Sequence, residues 1–352
     1  MAVSLDYRAV GITGATGWLG RRLVSALAQG VDGLAFEPGE TKVSCLVTSD
    51  QPSGDLRARG VNVIGGDVRD PEACHAFAKG LEDGLLFHLA GVIHPRRRTR
   101  DFEEINVEGT RNVVDAALAS GCRRIVVMSS NSPFGCNASP QERFTEESPY
   151  NPYMGYGRSK WRMELLLKDR MTKDDAPEIV IIRAPWFYGP GQPQRQTIFF
   201  RMIRDGRFPI LGKGLNRRSM AYVDSLVGGL LLAAAKPEAA GQAYWLADEK
   251  PYTMVEIVET VATALREDFG ITVAKPPPRL PAVIGDVATL ADAALQAMGL
   301  YHQKVHVLSE MNKTIACDIG KARRELGYEP VSTLREGMCA SIAWCLQYGG
   351  GL

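Results

Sequence analysis

The stretch Thr13-Gly14-Ala15-Thr16-Gly17-Trp18-Leu19-Gly20 constrains the fold of this chain most, because an apolar run enters it and a helix-like run leaves it. Residues 9–12 are typical of a short buried strand, and residues 21–28 are typical of a helix. Glycines at 14, 17 and 20 suit a strand-to-helix turn that a diphosphate approaches closely. Tight packing of a helix on a strand produces the same spacing. The stretch therefore predicts a dinucleotide cradle, which later features of the chain must support.

Strand-like and helix-like runs alternate through the first half of the chain. The sequence predicts further strands at 42–47, 61–64, 85–89, 124–128 and 179–182, and helices at 106–120 and after Tyr156. This alternation is typical of an α/β fold with a doubly wound parallel sheet. Ligands of such sheets bind at the carboxyl ends of the strands, where the runs Gly65-Gly66-Asp67-Val68 and His88-Leu89-Ala90-Gly91 are expected to lie.

Composition limits the choice of partners and compartment. A length of 352 residues suggests two domains, or one large domain with an attached lobe. The 41 basic and 40 acidic residues offer no electrostatic reason to expect nucleic acid or an anionic membrane as a partner. The seven cysteines form no C-x-x-C pair and are typical of reduced thiols. The first ten residues match neither a signal peptide nor a transit peptide. We therefore expect a cytoplasmic protein with a small-molecule substrate and no metal, for which a homodimer is one assembly to consider.

Two stretches need a separate interpretation. Residues 280–300 are apolar enough to raise the question of a transmembrane helix, but Asp286 and Asp292 favour a soluble amphipathic helix. The run Arg96-Arg97-Arg98, with Arg100 close behind it, follows the predicted fourth strand. It could reach a site at the edge of the sheet, although a solvated loop is the simpler interpretation.

Tyr156 and Lys160 are four residues apart, so on a helix they share one face. The phenol of an ordinary tyrosine has a pKa of about 10, too high for a base near neutral pH. A neighbouring ammonium favours the phenolate, so we expect Lys160 to lower the pKa of Tyr156 and make it an acid/base group. Tyr150 and Tyr153 lack a lysine four residues on, which favours packing or substrate-lining roles for both.

These motifs occur in an order that resembles the extended short-chain dehydrogenases/reductases. That family includes nucleotide-sugar epimerases and dehydratases and 3β-hydroxysteroid dehydrogenase-like enzymes. The motifs are Thr13-Gly-x-x-Gly-x-x-Gly20, Asp67-Val68, His88 to Gly91, Asn106-Val-Glu-Gly-Thr110, Ser129-Ser130, Tyr156-Gly-Arg-Ser-Lys160, Arg183 through Tyr188-Gly-Pro-Gly191, Tyr222-Val-Asp224 and, near the end, residues 318–327. The resemblance implies a Rossmann-type sheet with a smaller C-terminal substrate lobe.

The resemblance also assigns catalytic roles. It places the hydroxyl that holds the reacting oxygen at Ser130, with Ser129 and Ser132 as alternatives because such residues also cap turns. It implies that Lys160 hydrogen-bonds the nicotinamide ribose. Asn106 is expected to begin its helix as an N-cap, and in related enzymes an asparagine of this motif helps to position the lysine.

The candidate cofactor-binding residues lie at the ends of the predicted strands and on the Tyr156 helix. They are Gly14, Thr16, Gly17, Trp18, Leu19, Gly20, Thr48, Asp67, Val68, Leu89, Ala90, Gly91, Tyr156 and Lys160. A carboxylate at the end of the second strand would favour NAD and an arginine would favour NADP. Thr48 stands there instead, Asp50 is two residues farther and Arg57 is the nearest cation, so both cofactors stay open. The resemblance implies that Asp67 meets the adenine, although an aspartate there can also form a turn.

The second half is expected to supply the lobe. We predict a Rossmann domain of residues 1–185, to which 215–247 return through a strand at 241–246, and a lobe of 186–214 and 248–352. A helix is predicted at 197–204, and Thr253 is a candidate N-cap for another.

Two lobe residues give opposite indications about the substrate. Trp186 stands where nucleotide-sugar members usually carry an asparagine, which favours a less polar ligand. Arg218 matches an arginine with which nucleotide-sugar enzymes hold a diphosphate, although it could instead pair with Glu256 or Asp318. Ser130, Ser132, Trp186 and Arg218 are thus the candidate substrate-binding residues.

The sequence therefore predicts an NAD(P)-dependent oxidoreductase that transfers hydride at a secondary alcohol or ketone carbon. One alternative is a nucleotide-sugar 4-epimerase or dehydratase with tightly bound NAD. The other is a non-catalytic dinucleotide-binding regulator that kept the fold without the reaction.

Overall fold

The computed structural model describes residues 3–31, 34, 36–37, 41–96, 98–173 and 177–352. Its centre is a parallel sheet of seven strands, whose apolar residues are buried on both faces. In chain order the strands are β1 (Ala9–Thr13), β2 (Lys42–Val47), β3 (Asn62–Gly65), β4 (Leu85–His88), β5 (Arg124–Ser130), β6 (Glu178–Ala184) and β7 (Ala243–Trp245).

The strand order across the sheet is β3-β2-β1-β4-β5-β6-β7, and the direction of winding reverses between β1 and β4. Such a switch point is where doubly wound sheets bind their ligands. The glycine turn follows β1, and Leu89, Ala90 and Gly91 follow β4, so both lie at this point. The predicted Rossmann-type doubly wound fold is confirmed.

Helices cover both faces of the sheet. The thirteen α-helices of the described residues are α1 (Trp18–Gln29), α2 (Gly54–Ala58), α3 (Pro71–Ala78), α4 (Arg100–Glu103), α5 (Gly109–Ala119), α6 (Met154–Met171), α7 (Gln194–Arg204), α8 (Val223–Ala235), α9 (Met254–Glu267), α10 (Val283–Ala297), α11 (Gln303–Glu310), α12 (Gly320–Leu326) and α13 (Leu334–Gln347). Side chains of α1 and α8 join one buried cluster, and those of α3, α5 and α6 join another. Val126 and Val127 of β5 enter opposite clusters, as the alternation of a strand requires.

The α5 region differs from the prediction. The sequence predicts that a helix begins at Asn106, but α4, a π-helical turn (Glu104–Glu108) and α5 form one continuous run. Asn106 lies inside the π turn and is fully buried, so the predicted N-cap role is wrong. Single π turns of this kind occur often at functional sites.

A third buried cluster forms the lobe, with residues of α7, α9 and α13 at its centre. Short strand pairs join its parts: Trp186–Tyr188 lies parallel to Met220–Tyr222, and Arg217–Arg218 lies antiparallel to Tyr252–Thr253. Thr253 caps α9 in a reciprocal arrangement with Glu256, which confirms the predicted N-cap. Two-residue strand pairs also join Val3–Ser4 to Phe36–Glu37 and Ile210–Leu211 to Arg279–Leu280.

The chain crosses between the two parts more often than the sequence suggests. The predicted returning strand is confirmed, because β7 pairs with β6 at the edge of the sheet. However, α12 also packs on β7 and α8, so part of the predicted lobe belongs with the sheet. We retain the predicted division as a proposal, extended by the return of residues 315–328 to the Rossmann part.

The apolar stretch near residue 290 forms α10, which makes a helical hairpin with α11 and contacts α6. Asp292 lies on its buried face. No helix among the described residues has the length and apolar character needed to cross a bilayer.

Candidate active site

The turn between β1 and α1 brings the backbone close to the end of β4. Gly14 has φ of +76°, and a Cβ there would lie 2.6 Å from the Ala90 nitrogen. A Cβ on Gly20 would overlap the Gly14 carbonyl, while one on Gly17 would lie 3.2 Å from the same oxygen. Helix α1 begins at Trp18, so the first N–H groups of the helix face this turn without a capping side chain from Gly17. The absence of side chains and the free donors fit a bound diphosphate.

A buried hydrogen-bond chain braces the switch point. His88 Nδ1 lies 2.7 Å from Thr13 Oγ1, and His88 Nε2 lies 2.8 Å from Thr110 Oγ1. Burial, together with the Lys160 charge, lowers the pKa of His88 to about 3, so the ring is neutral. The chain ties β1 and β4 to α5 and fixes the backbone at Ala90, whose N–H also contacts Thr13 Oγ1 at 3.3 Å. The sequence analysis missed this role of His88.

Two carboxylates lie near the ends of β2 and β3. Thr48 Oγ1 donates to Asp50 at 2.6 Å. The Asp50 carboxylate, two residues past Thr48 in the sequence, therefore lies beside the end of β2. Asp67 is half-buried and paired with Arg69 at 2.7 Å, and this hydrogen bond holds the pKa of Asp67 below its usual range. Val68 is buried against Gly109.

Ser130 and Tyr156 meet at the carboxyl end of β5. Tyr156 is buried in the first turn of α6, beside Phe102 and Tyr301. Burial raises the pKa of Tyr156 to about 12, against the effect of a hydrogen bond with Ser130. The sequence predicts that Lys160 lowers this pKa. That expectation is wrong, because the burial of the phenol outweighs the groups that favour phenolate.

Lys160 points toward the end of β4. Its Nζ donates to the Met128 carbonyl at 2.8 Å, and a Cβ on Gly91 would lie 3.5 Å from Nζ. Burial lowers the pKa of Lys160 to about 8, against the effect of nearby Glu164. The ammonium thus lies at the switch point, beside one of the two strand ends that form the cradle.

Asn106 clamps the loop after β4 to α6. Its Oδ1 accepts from the Val92 N–H at 2.8 Å, and its Nδ2 donates to the Val92 carbonyl at 3.0 Å and to Ser159 Oγ at 2.9 Å. Ser159 precedes Lys160, so the π turn and this amide set the distance between α6 and the loop. Asn106 is a positioning residue in this arrangement.

The alternatives for the serine differ in their partners. The Ser129 hydroxyl donates to Glu164 at 2.5 Å, so its proton is engaged by that carboxylate. Ser132 Oγ accepts from Ser130 Oγ at 3.4 Å, which leaves Ser132 at the edge of the site. Glu164 also accepts from Tyr150 at 2.7 Å and forms a fully buried ion pair with Arg183. This network, which the sequence analysis missed, holds α6 on the sheet.

The two lobe residues have partners other than Ser130 and Tyr156. Trp186 is half-buried, and its ring contact within the described residues is with Phe199 at 5.4 Å, apart from Ser130 and Tyr156. Arg218 Nη2 lies 3.8 Å from Glu310, and its Nε is buried without a hydrogen-bond partner among the described residues. The predicted partners of Arg218 are wrong, because Glu256 caps α9 and Asp318 accepts from the Gly320 N–H.

The α10–α11 hairpin adds a charged wall that the sequence analysis missed. Buried Asp292 lies 2.7 Å from His306 Nδ1, and Glu310 lies 3.7 Å from His306 Nε2. Burial alone would lower the pKa of His306, but its two carboxylate neighbours raise it. The Glu310 charge also raises the pKa of Tyr156, while Arg195 lowers it. An aspartate within an apolar helix was the one sequence signal of this cluster.

Tyr301 and His94 complete the wall. The Tyr301 hydroxyl oxygen lies 2.5 Å from His94 Nδ1. Burial lowers the pKa of His94 to about 3, with Arg195 and His306 adding to the effect. Tyr153 donates to Ser309 of α11 at 2.8 Å, so it joins the hairpin to α6. Among the described residues, no group of three or more His, Cys, Asp or Glu side chains is placed so that it could hold a metal ion.

Comparison with protein families gives a match over residues 10–247 to the NAD-dependent epimerase/dehydratase family. An uncharacterised protein, y4nL of Sinorhizobium fredii, is 53% identical over 348 residues, which cover 99% of this chain and 98% of that protein. UDP-glucose 4-epimerase of Vibrio cholerae is 27% identical over 342 residues, covering 93% and 92%. The 3beta-hydroxysteroid-dehydrogenase/decarboxylase isoform 1 of Arabidopsis thaliana is 26% identical, covering 97% and 80%.

Solved structures share the fold over the whole chain. The protein gox2253 superposes with a TM-score of 0.78 at 23% identity, covering 98% of this chain and all of that one. The dTDP-glucose 4,6-dehydratase DesIV of Streptomyces venezuelae, solved with NAD, superposes with a TM-score of 0.71 at 22% identity, covering 97% and 98%. These likenesses agree with the strand order described above.

Proposed function

The chain belongs to the NAD-dependent epimerase/dehydratase family, and from this premise we propose that it transfers hydride between NAD and a secondary alcohol or ketone carbon of a low-polarity substrate. The observation that carries the proposal is the meeting of Ser130 and Tyr156 at the sheet edge, with Lys160 one helical turn away. A protein that only binds a dinucleotide has no need of this set. The non-catalytic regulator is therefore the weaker alternative.

The glycine turn supports NAD as the cofactor. Gly14, Gly17 and the first N–H groups of α1 would hold the diphosphate, and Asp67, after the end of β3, would meet the adenine. The carboxylate of Asp50, held beside the end of β2 by Thr48, would accept hydrogen bonds from the ribose and repel a 2′-phosphate. Bound NAD would supply the hydride acceptor or, when reduced, the hydride donor.

The chain's own residues would handle the proton. Because the pKa of Tyr156 is about 12, its phenol is protonated at neutral pH and suited to donate to a carbonyl oxygen. Ser130 would hold the same oxygen by a hydrogen bond. Lys160 would orient the nicotinamide ribose, since its ammonium lies at the end of β4.

The aromatic side chains beside the phenol support a substrate of low polarity. Phe102 and Tyr301 pack on the ring of Tyr156, so the space beside the phenol is bounded by aromatic side chains. Glu310 lies near Arg218 and balances part of its charge. An enzyme for an anionic diphosphate would gain little from a carboxylate in that position.

A nucleotide-sugar 4-epimerase or dehydratase is the second candidate, because the buried Nε of Arg218 has no partner among the described residues. An unsatisfied guanidinium N–H is a good donor for a phosphate oxygen. The relatives of the chain include a UDP-glucose 4-epimerase and a 3beta-hydroxysteroid-dehydrogenase/decarboxylase, so both substrate classes occur among them.

Titration with UDP separates the candidates. We expect wild-type protein loaded with NAD to show no saturable UDP binding by calorimetry. Wild-type protein loaded with NADH should reduce an apolar ketone, with the proton supplied by Tyr156. Saturable binding that disappears in Arg218→Ala, but persists in the neighbouring Arg217→Ala, would instead establish the nucleotide-sugar candidate. The seven cysteines, all unpaired, support a reducing compartment such as the cytoplasm for this activity.

A further inference from the structure

The α10–α11 hairpin has an unusual distribution of polarity. Its inner face is polar, with Asp292, Gln296 and His306 buried and hydrogen-bonded to one another or to α6. Its outer face is apolar. Six large apolar side chains are exposed there and on the adjoining loop: Val283, Val287, Leu290, Met298, Leu300 and Val307.

The outer face of α10 is a continuous stripe. Val283, Val287 and Leu290 are spaced four and three residues apart, so they share one side of the helix, and Leu290 is 73% exposed. Asp286 is the only charged residue at the exposed positions of this helix, and it is paired with Lys313 at 2.7 Å. Monomeric water-soluble domains rarely expose an apolar helix face of this extent without a partner.

Unpaired cations border this stripe. Arg98 pairs through its backbone with Leu300, and the Thr99 N–H donates to the Gly299 carbonyl at 3.2 Å, so the arginine-rich loop lies at the end of α10. Arg96, Arg98 and Lys304 are exposed, and within the described part of the chain none has a carboxylate within 4.0 Å. Arg100 is paired with Glu104, and Arg97 lies outside the described residues.

We propose that the hairpin and the arginine loop form a surface that binds an anionic phospholipid membrane, with α10 lying in the plane of the interface. An apolar helix face bordered by basic side chains is the arrangement that such membranes recognise. No spanning helix is required. The balanced net charge of the chain offered no reason to expect this partner, because the cations and the stripe are brought together only by the fold.

The surface continues into the cleft. The inner side of the same hairpin carries Glu310, whose charge acts at Tyr156 and which lies 3.8 Å from Arg218 Nη2. Tyr301, in the connection between α10 and α11, packs on the cluster of Tyr156. A membrane against the outer face would therefore contact the same hairpin whose inner side lies beside Tyr156.

Vesicle co-sedimentation tests the proposal on the whole chain, with neither cofactor nor substrate present. We expect wild type to sediment with vesicles of phosphatidylglycerol and phosphatidylcholine, and more weakly with phosphatidylcholine alone or at high salt. Leu290→Asp should weaken binding about tenfold or more. Arg98→Glu should weaken binding to the anionic vesicles about fivefold or more.

Two matched controls keep the result specific. Leu346→Asp changes an exposed leucine on α13, and Arg266→Glu changes an exposed arginine on α9, so both should bind as wild type does. The proposal is overturned if wild type does not bind the anionic vesicles, or if all four variants bind as it does. It is also overturned if Leu290→Asp only converts a dimer into a monomer, since a second copy would then cover the stripe. Each of these three outcomes leaves the proposed reaction unaffected, because the assay does not measure catalysis.

Discussion

At the scale of single residues, burial raises the pKa of Tyr156 and lowers the pKa of Lys160, because it favours the neutral form of each group. Tyr156 keeps its proton as a result, while Lys160 titrates close to physiological pH. The two side chains share a helix face, as their spacing predicts, but the Lys160 ammonium donates to the Met128 carbonyl of β5 and lies near Gly91 rather than contacting the phenol.

Tyr156→Phe should abolish turnover while leaving NAD affinity nearly unchanged, because only the transferable proton and the contact with Ser130 are lost. We expect a decrease in kcat of about three orders of magnitude or more. Tyr153→Phe is the matched control, since its hydroxyl binds Ser309 instead. Turnover measurements and fluorescence titration of NAD check this, and near-normal turnover of Tyr156→Phe would refute the assigned mechanism.

The pKa of Lys160 predicts how NAD affinity depends on pH. The ammonium is present below about pH 8 and is lost above it, so affinity should decrease as pH rises through that value. Loss of a charge-assisted hydrogen bond predicts a decrease of about tenfold. Lys160→Met should bind NAD more weakly and without this dependence. Calorimetric titrations at several pH values check both, and a wild-type affinity that stays constant through pH 8 would remove Lys160 from the cofactor site.

At the scale of elements, the β1–α1 turn contains glycines with two different roles. Gly14 and Gly20 are needed for folding, because a Cβ on either would overlap backbone atoms, whereas Gly17 is needed for binding. Gly17→Val should fold with a small local shift, because φ of −72° and ψ of 168° suit valine while its Cβ would lie 3.2 Å from the Gly14 carbonyl. Its side chain would occupy the space of the diphosphate, so NAD binding should be abolished. Gly65→Val, at the open end of β3, is the control. Fluorescence titration decides, and unchanged affinity in a folded Gly17→Val would remove the cradle assignment.

The sequence predicts best the elements whose bounds are set by residues close to one another in the chain. The apolar run at β2 gives the observed bounds, Lys42–Val47, and Thr253 begins α9 as its side chain predicts. The π turn at Asn106 has no comparable local signal, because it depends on the contacts of the amide with Val92 and Ser159. Partners of buried charges were missed for the same reason: Arg218 meets Glu310, and Arg183 meets Glu164, only through the tertiary fold.

At the scale of the whole molecule, the route of the chain joins the two parts. After the first lobe segment the chain returns to supply α8 and β7, and after α11 it returns again to supply α12. The face of the sheet that carries Val126 and Val180 is covered partly by α8, whose residues are almost all buried. The Rossmann part therefore lacks a complete core without residues that follow the first lobe segment.

This route predicts that the protein unfolds in a single transition although it has separate buried clusters. Trp245 of β7 is fully buried beside Phe134 and Phe144, so Trp245→Ala should lower the free energy of unfolding by about 3 to 5 kcal/mol. Because the lobe is connected to the sheet through β7 and α8, the whole transition should move to lower temperature with calorimetric and van't Hoff enthalpies still equal. Leu346→Ala, at an exposed position of α13, should change the midpoint little. Two transitions of which Trp245→Ala moves only one would show instead that the lobe folds independently of the sheet.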